Sequence, residues 1–188
     1  MHQPIDEPAL VRQVLSGDHA AFGRLIRQYE GLVLHIVTPI VGAHVDREDL
    51  CQDIFIRVYE KLHTFQHRAK LGTWIGHIAY NMAINFIRKK RNVTMSALAG
   101  PDESQLAAIT ADMDSAEDIL IREDQLRELF YCIGQLTSIQ QTSLILFYQD
   151  ELSLEEIAQV TDLPVNTIKS HLFRAKASLK KLLLQHEH

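Results

Sequence analysis

Apolar residues recur at steps of three and four along almost the whole chain, a rhythm that leaves room for little but helices. Asp6-Glu7-Pro8 is a helix start signal; Leu10, Val11, Val14 and Leu15 then share a face, and Gly17 stops it. Asp18 opens a second helix, whose face runs through Phe22, Leu25, Ile26, Tyr29, Leu32, Val33 and Ile36; Pro39 and Gly42 are expected to end it. A third helix is expected from Asp46, with Leu50, Ile54, Val58 and Leu62 at steps of four. The polar, basic stretch Thr64 to Leu71 reads as a loop. A fourth helix follows from about Gly72 to Arg91, with Ile75, Ile78, Ala79, Met82 and Phe86 inside and Arg88 to Arg91 at its basic end. Only eight glycines and five prolines occur in 188 residues, which also argues against a strand-and-turn protein.

The rhythm fades from Asn92 to about Ser115, where Gly100-Pro101 and small polar residues mark a linker. It returns near Ala116 and runs through Leu126, Leu129, Phe130 and Ile133. Three short helical patterns follow, separated by Leu136-Thr137-Ser138, Asp150-Glu151-Leu152 and Asp162-Leu163-Pro164. The expected architecture is all-α: a helical domain over 1–91, an acidic linker over 92–115, and a second helical domain over 116–188. The net charge of −5 is unevenly spread: +3 over 1–91, −5 over 92–122 and −3 over 123–188. Within the last part, Lys169, Arg174, Lys176, Lys180 and Lys181 lie in a stretch, 165–186, that holds no acid. Such a local patch matters more for a phosphate contact than the global sum, because salt screens interactions beyond about 8–10 Å.

The sharpest local signal lies between Ser153 and Leu182. Ser153 and Glu156 form a capping box, each side chain satisfying an orphan amide of the first turn. Ile157, Ala158 and Val160 make a short apolar helix, Asp162-Leu163-Pro164 a tight turn, and Ile168, Leu172, Ala175, Leu179 and Leu182 one face of a new helix. Its other face carries Asn166, Thr167, Lys169, Ser170, Phe173 and Arg174. That is a helix-turn-helix whose second helix suits a major groove: Lys and Arg meet phosphates or guanine edges, and Asn and Thr read base edges. The plainer reading is a helical hairpin with a solvated basic face.

Two further segments carry weaker signals. Trp74, His77, Tyr80, Asn81 and Asn85 share a helix with Arg88 to Arg91, the mixture of stacking groups and positive charge that holds single-stranded DNA. A core tryptophan with a basic cluster at a helix C-terminus explains the same residues. On the 46–62 helix, Glu48, Asp49, Gln52, Asp53 and Arg57 lie off the apolar face, as either a docking or a solvated surface. No P-loop, GxSxG or HExxH motif occurs, and the ten histidines are scattered, so no catalytic site, metal or cofactor is expected. Cys51 and Cys132 are too few for a disulfide framework or a four-ligand zinc site. No apolar run is long enough to span a membrane, and the N-terminus has no secretory signal, so a cytoplasmic protein is expected.

In order along the chain, AFGRLIRQYEGLVLHIV, DREDLCQDIFIRVYEKLHTF and LGTWIGHIAYNMAINFIRKKR resemble domain two of bacterial RNA polymerase sigma factors, and SLEEIAQVTDLPVNTIKSHLFRAKASLKKLL resembles their domain four. With only these two domains, the chain is similar to the extracytoplasmic function (ECF) sigma factors. The resemblance implies a non-catalytic transcription initiation factor with core RNA polymerase and promoter DNA as partners, often held by an anti-sigma factor. It implies that Asp49, Gln52 and Asp53 face the polymerase clamp helices. The 63–72 loop and the helix after it, with Arg68, Lys70, Trp74, His77, Tyr80, Asn81, Asn85 and Arg88, would take the minus-ten element and a flipped base. Asn166, Thr167, Lys169, Ser170, Phe173 and Arg174 would read the minus-thirty-five duplex, and the linker would thread toward the RNA exit path. The runner-up is a stand-alone helix-turn-helix regulator. Three positions depart from the family pattern: Leu136 to Gln141 lacks the usual Pro and Arg, Asp162 stands where Gly is common, and His171 where Arg is common.

Overall fold

The computed structural model describes residues 6–42, 47–95 and 128–186. The expected helix start at Asp46, the linker from residue 96 onward and the return of periodicity between Ala116 and Leu126 lie outside them. Within the described residues all regular structure is helical. The N-terminal part holds α1 (Glu7–Leu15), α2 (His19–Val41), α3 (Arg47–Lys61), a 3₁₀ turn over Leu62–Thr64, and α4 (Leu71–Met95). The C-terminal part holds a helical segment over 128–134, then α5 (Ser138–Tyr148), α6 (Leu154–Thr161) and α7 (Val165–His186).

The starts follow local chemistry. Asp6 and Asp18 cap α1 and α2, their carboxylates accepting from Ala9 N at 3.1 Å and Ala21 N at 3.0 Å. Pro39 does not end α2, contrary to the sequence reading; the helix runs through it to Val41, and Gly42 closes it at φ 70°. Proline forfeits one hydrogen bond there, in the last turn, while buried Val37 and Val41 hold the segment on the core. The fourth helix also runs longer than expected, from Leu71 to Met95 instead of 72 to 91. Its start is pinned by α1: one Glu7 oxygen accepts from Leu71 N at 3.3 Å and the other from the Tyr29 hydroxyl at 2.7 Å. A carboxylate at a helix N-terminus is favoured by the helix dipole.

Leu25, Val33 and Ile36 of α2, Ile54 and Val58 of α3, and Ile75, Ala79 and Ala83 of α4 form the N-terminal core. Phe22 and Tyr59 add an edge-on aromatic pair between α2 and α3, with centroids 4.9 Å apart. Leu146, Ile157, Val160, Ile168 and Leu172 belong to the same continuous core, because α5 packs on α2 and α6 on α4. Each such side chain, fully buried, stabilises the fold by about 1.5–3 kcal/mol. The helices on either side of residues 96–127 therefore meet along a seam.

Candidate nucleic-acid interface

The helix-turn-helix forms as its local signals predict. Ser153 N donates to Glu156 Oε2 at 2.9 Å and Glu156 N to Ser153 Oγ at 3.1 Å, completing the capping box of α6. Asp162 ends α6 in the left-handed conformation, φ 56° and ψ 29°, which Asp tolerates better than most residues. The chain then turns through Pro164, whose carbonyl accepts from Thr167 N and Ile168 N. Ile168, Leu172 and Ala175 are buried on the inner side of α7. Asn166, Lys169, Ser170, Phe173 and Arg174 are exposed on the outer side, with Thr167 half-buried between. Phe173 is 75% exposed, the most exposed of the large apolar side chains among the described residues. The Ser170 hydroxyl donates to Asn166 O at 2.9 Å, so its proton is committed within the helix.

The family-pattern departures have local answers. Gln141 Nε2 donates to Leu136 O at 2.8 Å and Gly134 O at 3.2 Å, tying the 128–134 helix to α5. Gln140 Oε1 accepts from Thr137 N at 3.1 Å, so α5 opens without a proline. His171 is half-buried with Nδ1 unpartnered among the described residues. Burial, with the Arg174 guanidinium beside it, holds its imidazolium below the usual histidine range.

On α4, the expected residues Trp74, His77, Asn81, Asn85 and Arg88 advance by three or four and so share one stripe. Asn85 and Arg88 are exposed, as are Arg68 and Lys70 in the preceding loop; Trp74, His77, Tyr80 and Asn81 are partly buried. Asn81 Nδ2 lies 2.9 Å from His77 Nε2, linking two of the polar groups. Trp74 is half core and half surface. It packs against Phe65 with centroids 5.4 Å apart, and Phe65 in turn against His67 at 4.5 Å. Phe65 and the exposed His67, held at φ 54°, thus extend Trp74 into a row of three rings that the sequence pattern did not single out. A second omission lies beside the stripe. Arg57 and Lys61, from the end of α3, join His77, Asn81 and Asn85 around a cleft of about 220 Å³. Two cations one turn apart at the end of α3 were the available signal; that they face the amide stripe was not.

Asp49, Gln52 and Asp53 are all exposed on α3, opposite the buried Leu50, Ile54 and Val58. Exposed Ile56, Tyr59 and Arg57 continue that surface, and Arg57 pairs with Glu60 at 3.0 Å. Among the described residues no helix is long and apolar enough to cross a membrane.

A helix-turn-helix with an open basic face, joined to a second helical module bearing a cationic, aromatic and amide-rich helix, defines a DNA-binding transcription factor of two modules. Residues 25–93 match the model of Sigma-70 region 2, and 126–179 that of Sigma-70 region 4. The chain is 31% identical to the ECF RNA polymerase sigma factor SigW of Bacillus subtilis over 176 residues, covering 92% of this chain and 94% of that one. It is 30% identical to the ECF RNA polymerase sigma-E factor of Haemophilus influenzae over 183 residues, covering 96% of each. Its fold is similar to that of the sigma factor RpoE of Bartonella quintana, solved in complex with the anti-sigma factor NepR, with TM-score 0.71, 22% identity, and 86% and 96% of the two chains covered. It is also similar to that of CnrH in complex with the cytosolic domain of CnrY, with TM-score 0.62, 22% identity, and 93% and 95% covered. The chain belongs to the ECF family of RNA polymerase sigma factors, transcription initiation factors that direct the polymerase to promoters.

Proposed function

We propose that the two modules divide promoter recognition between them, with 1–91 as sigma domain two, 92–115 as the linker and 116–188 as sigma domain four. The exposed acidic and amide face of α3, at Asp49, Gln52 and Asp53, docks on a basic surface of the polymerase clamp. The loop before α4 and its stripe, from Arg68 and Lys70 through Trp74, His77, Tyr80, Asn81 and Asn85 to Arg88, hold the unpaired minus-ten strand: rings stack on bases and cations follow the backbone. Arg57 and Lys61 join this surface at the cleft. On α7, Asn166, Thr167, Lys169, Ser170, Phe173 and Arg174 meet the minus-thirty-five duplex in its major groove. The protein acts without chemistry of its own, in the cytoplasm, and an anti-sigma factor is its natural antagonist.

One observation carries this reading: two differently built DNA faces in one chain, a groove-reading helix on α7 and a stacking, strand-holding stripe on α4. A stand-alone regulator needs only the first. In vitro transcription with core polymerase on a promoter library tests it. Selective initiation that depends on this chain is expected. Tight, sequence-specific duplex binding by the chain alone, with no transcription, would instead assign it to the stand-alone regulators.

A further inference from the structure

A second cleft lies where the turn between α5 and α6 meets the first turn of α4, with α1 and α2 forming its remaining walls. It encloses about 290 Å³, the small end of the range for ligand pockets, so its occupant is small. Three carboxylates line it, Glu7, Asp150 and Glu151, against one ammonium, Lys70. Lys70 is not free to balance them, because its Nζ meets Glu156 Oε1 at 2.9 Å. Glu7 is oriented by the Tyr29 hydroxyl and Leu71 N, and Asp150 by His35 Nδ1 at 2.9 Å. Glu151 is exposed and has no hydrogen-bond or ion-pair partner among the described residues.

Thr73 supplies the second feature. It lines the same cleft, is 2% exposed, and its Oγ1 has no hydrogen-bond partner among the described residues. A helical threonine often turns its hydroxyl back to a carbonyl one turn earlier, as Thr161 does to Ile157 O at 2.8 Å. Thr73 does not. A buried polar group left unpaired is costly, and it marks a place where a bound group can complete the hydrogen bonding.

The charge and the spacing together select the ligand. Three carboxylates repel an anion. The acids sit on two walls, Glu7 on α1 and Asp150 and Glu151 on the α5–α6 turn, and among the described residues no three His, Cys, Asp or Glu side chains converge as a metal ion needs. Tyr29, Leu32 and Leu152 add apolar surface to the lining. Separated negative charges with apolar surface suit methylenes carrying an ammonium at each end.

We propose that this cleft binds a small aliphatic polyamine. One ammonium meets Glu151 and Asp150, another donates to Thr73 Oγ1 on the Glu7 side, and the methylenes lie along Tyr29 and Leu32. The site is separate from the recognition face of α7 and from the acidic face of α3. Its occupant joins α4 to the α5–α6 turn, so the stability of the folded chain follows the polyamine concentration.

The test is calorimetric titration of the full chain with spermidine at constant ionic strength, because salt screens the exposed part of such a contact. One molecule should bind per chain, and the thermal midpoint should rise with spermidine concentration. Glu151→Gln should weaken binding at least tenfold. Glu30→Gln removes the same charge from an exposed position of α2 outside the cleft and should leave binding within twofold. Thr73→Val separates a ligand contact from a structural role. Losing an unpartnered buried hydroxyl should leave the midpoint of the ligand-free chain unchanged or raised, while spermidine affinity falls at least threefold. No binding, several weak sites per chain, equal losses in Glu30→Gln and Glu151→Gln, or full affinity in Thr73→Val would each overturn the polyamine site. So would displacement of spermidine by magnesium ions at equal charge concentration, which would reduce the contact to diffuse attraction.

Discussion

The helix proposed to read duplex, α7, and the helix proposed to hold a single strand, α4, are both amphipathic, both basic on one face and both built on a buried aliphatic stripe, yet they stand differently in the molecule. Lys169, Phe173 and Arg174 of α7 face outward, while Ile168, Leu172 and Ala175 are buried against the rest of the molecule. On the α4 side, Lys70 is paired with Glu156, His77 with the Gln159 carbonyl, and Asn81 with His77. The difference matches what each helix is proposed to read. A duplex groove is present before the protein arrives, so a reader of duplex can stay exposed. An unpaired strand exists only after opening, and extruding a base costs a few kcal/mol. A strand-holding face is useful only at that later stage.

The contrast can be broken from either side. The largest effect is expected at the packing that presents α7. Ile168→Ala should destabilise domain four by about 2–5 kcal/mol, seen as an earlier loss of helicity in a thermal melt. Next, Asp53→Arg reverses a charge on the exposed face of α3 and should weaken holoenzyme assembly at least tenfold while leaving the circular dichroism spectrum unchanged. Unaltered core affinity would remove that face from the interface.

The DNA faces themselves should respond less, and in different ways. Replacing whichever of Lys169 and Arg174 reads a base should cost about 1–3 kcal/mol and relax one position of the minus-thirty-five element; replacing a phosphate contact should weaken all sequences alike and lower the salt slope by about one. Trp74→Ala should cost about 1–3 kcal/mol for single-stranded DNA held by the holoenzyme and leave duplex minus-thirty-five binding unchanged. Equal losses on both substrates would erase the division of labour.

The smallest effect is a pH dependence. The folded state holds the His171 imidazole neutral to lower pH than the unfolded state does, so the unfolded chain takes up the proton first. Stability of domain four is then full above about pH 6.5 and declines as pH falls below it. His171→Gln should flatten that decline in urea melts at pH 7 and pH 5.5; an identical slope in both chains would contradict it.

What could be read from the sequence was local. The Ser153–Glu156 capping box, the Asp162 turn and the two faces of α7 depend on residues a few positions apart, and each formed as expected. Trp74 was ambiguous between core and stacking because it is partly both, a half-buried ring continued outward by Phe65 and His67. The Pro39 stop failed because a local rule met burial: Val37 and Val41 on either side are held by the core. The seam was not legible. Its pairs, such as His35 with Asp150, join residues more than 80 positions apart, and periodicity says that a face is covered without saying by what. Lys61 was passed over, and Arg57 read only as part of the polar face of α3, for a similar reason, since the cleft they line exists only once α3 is laid against α4.

The central claim is that this chain opens promoters only together with core polymerase, and permanganate footprinting of unpaired thymines on a cognate promoter tests it most directly. With the chain alone no thymine should react, because nothing in one small module offsets the cost of unpairing. With core polymerase added, reactive thymines should appear across the minus-ten element and vanish at high salt as phosphate contacts are lost. Reactive thymines without core polymerase, or none with it, would contradict the account.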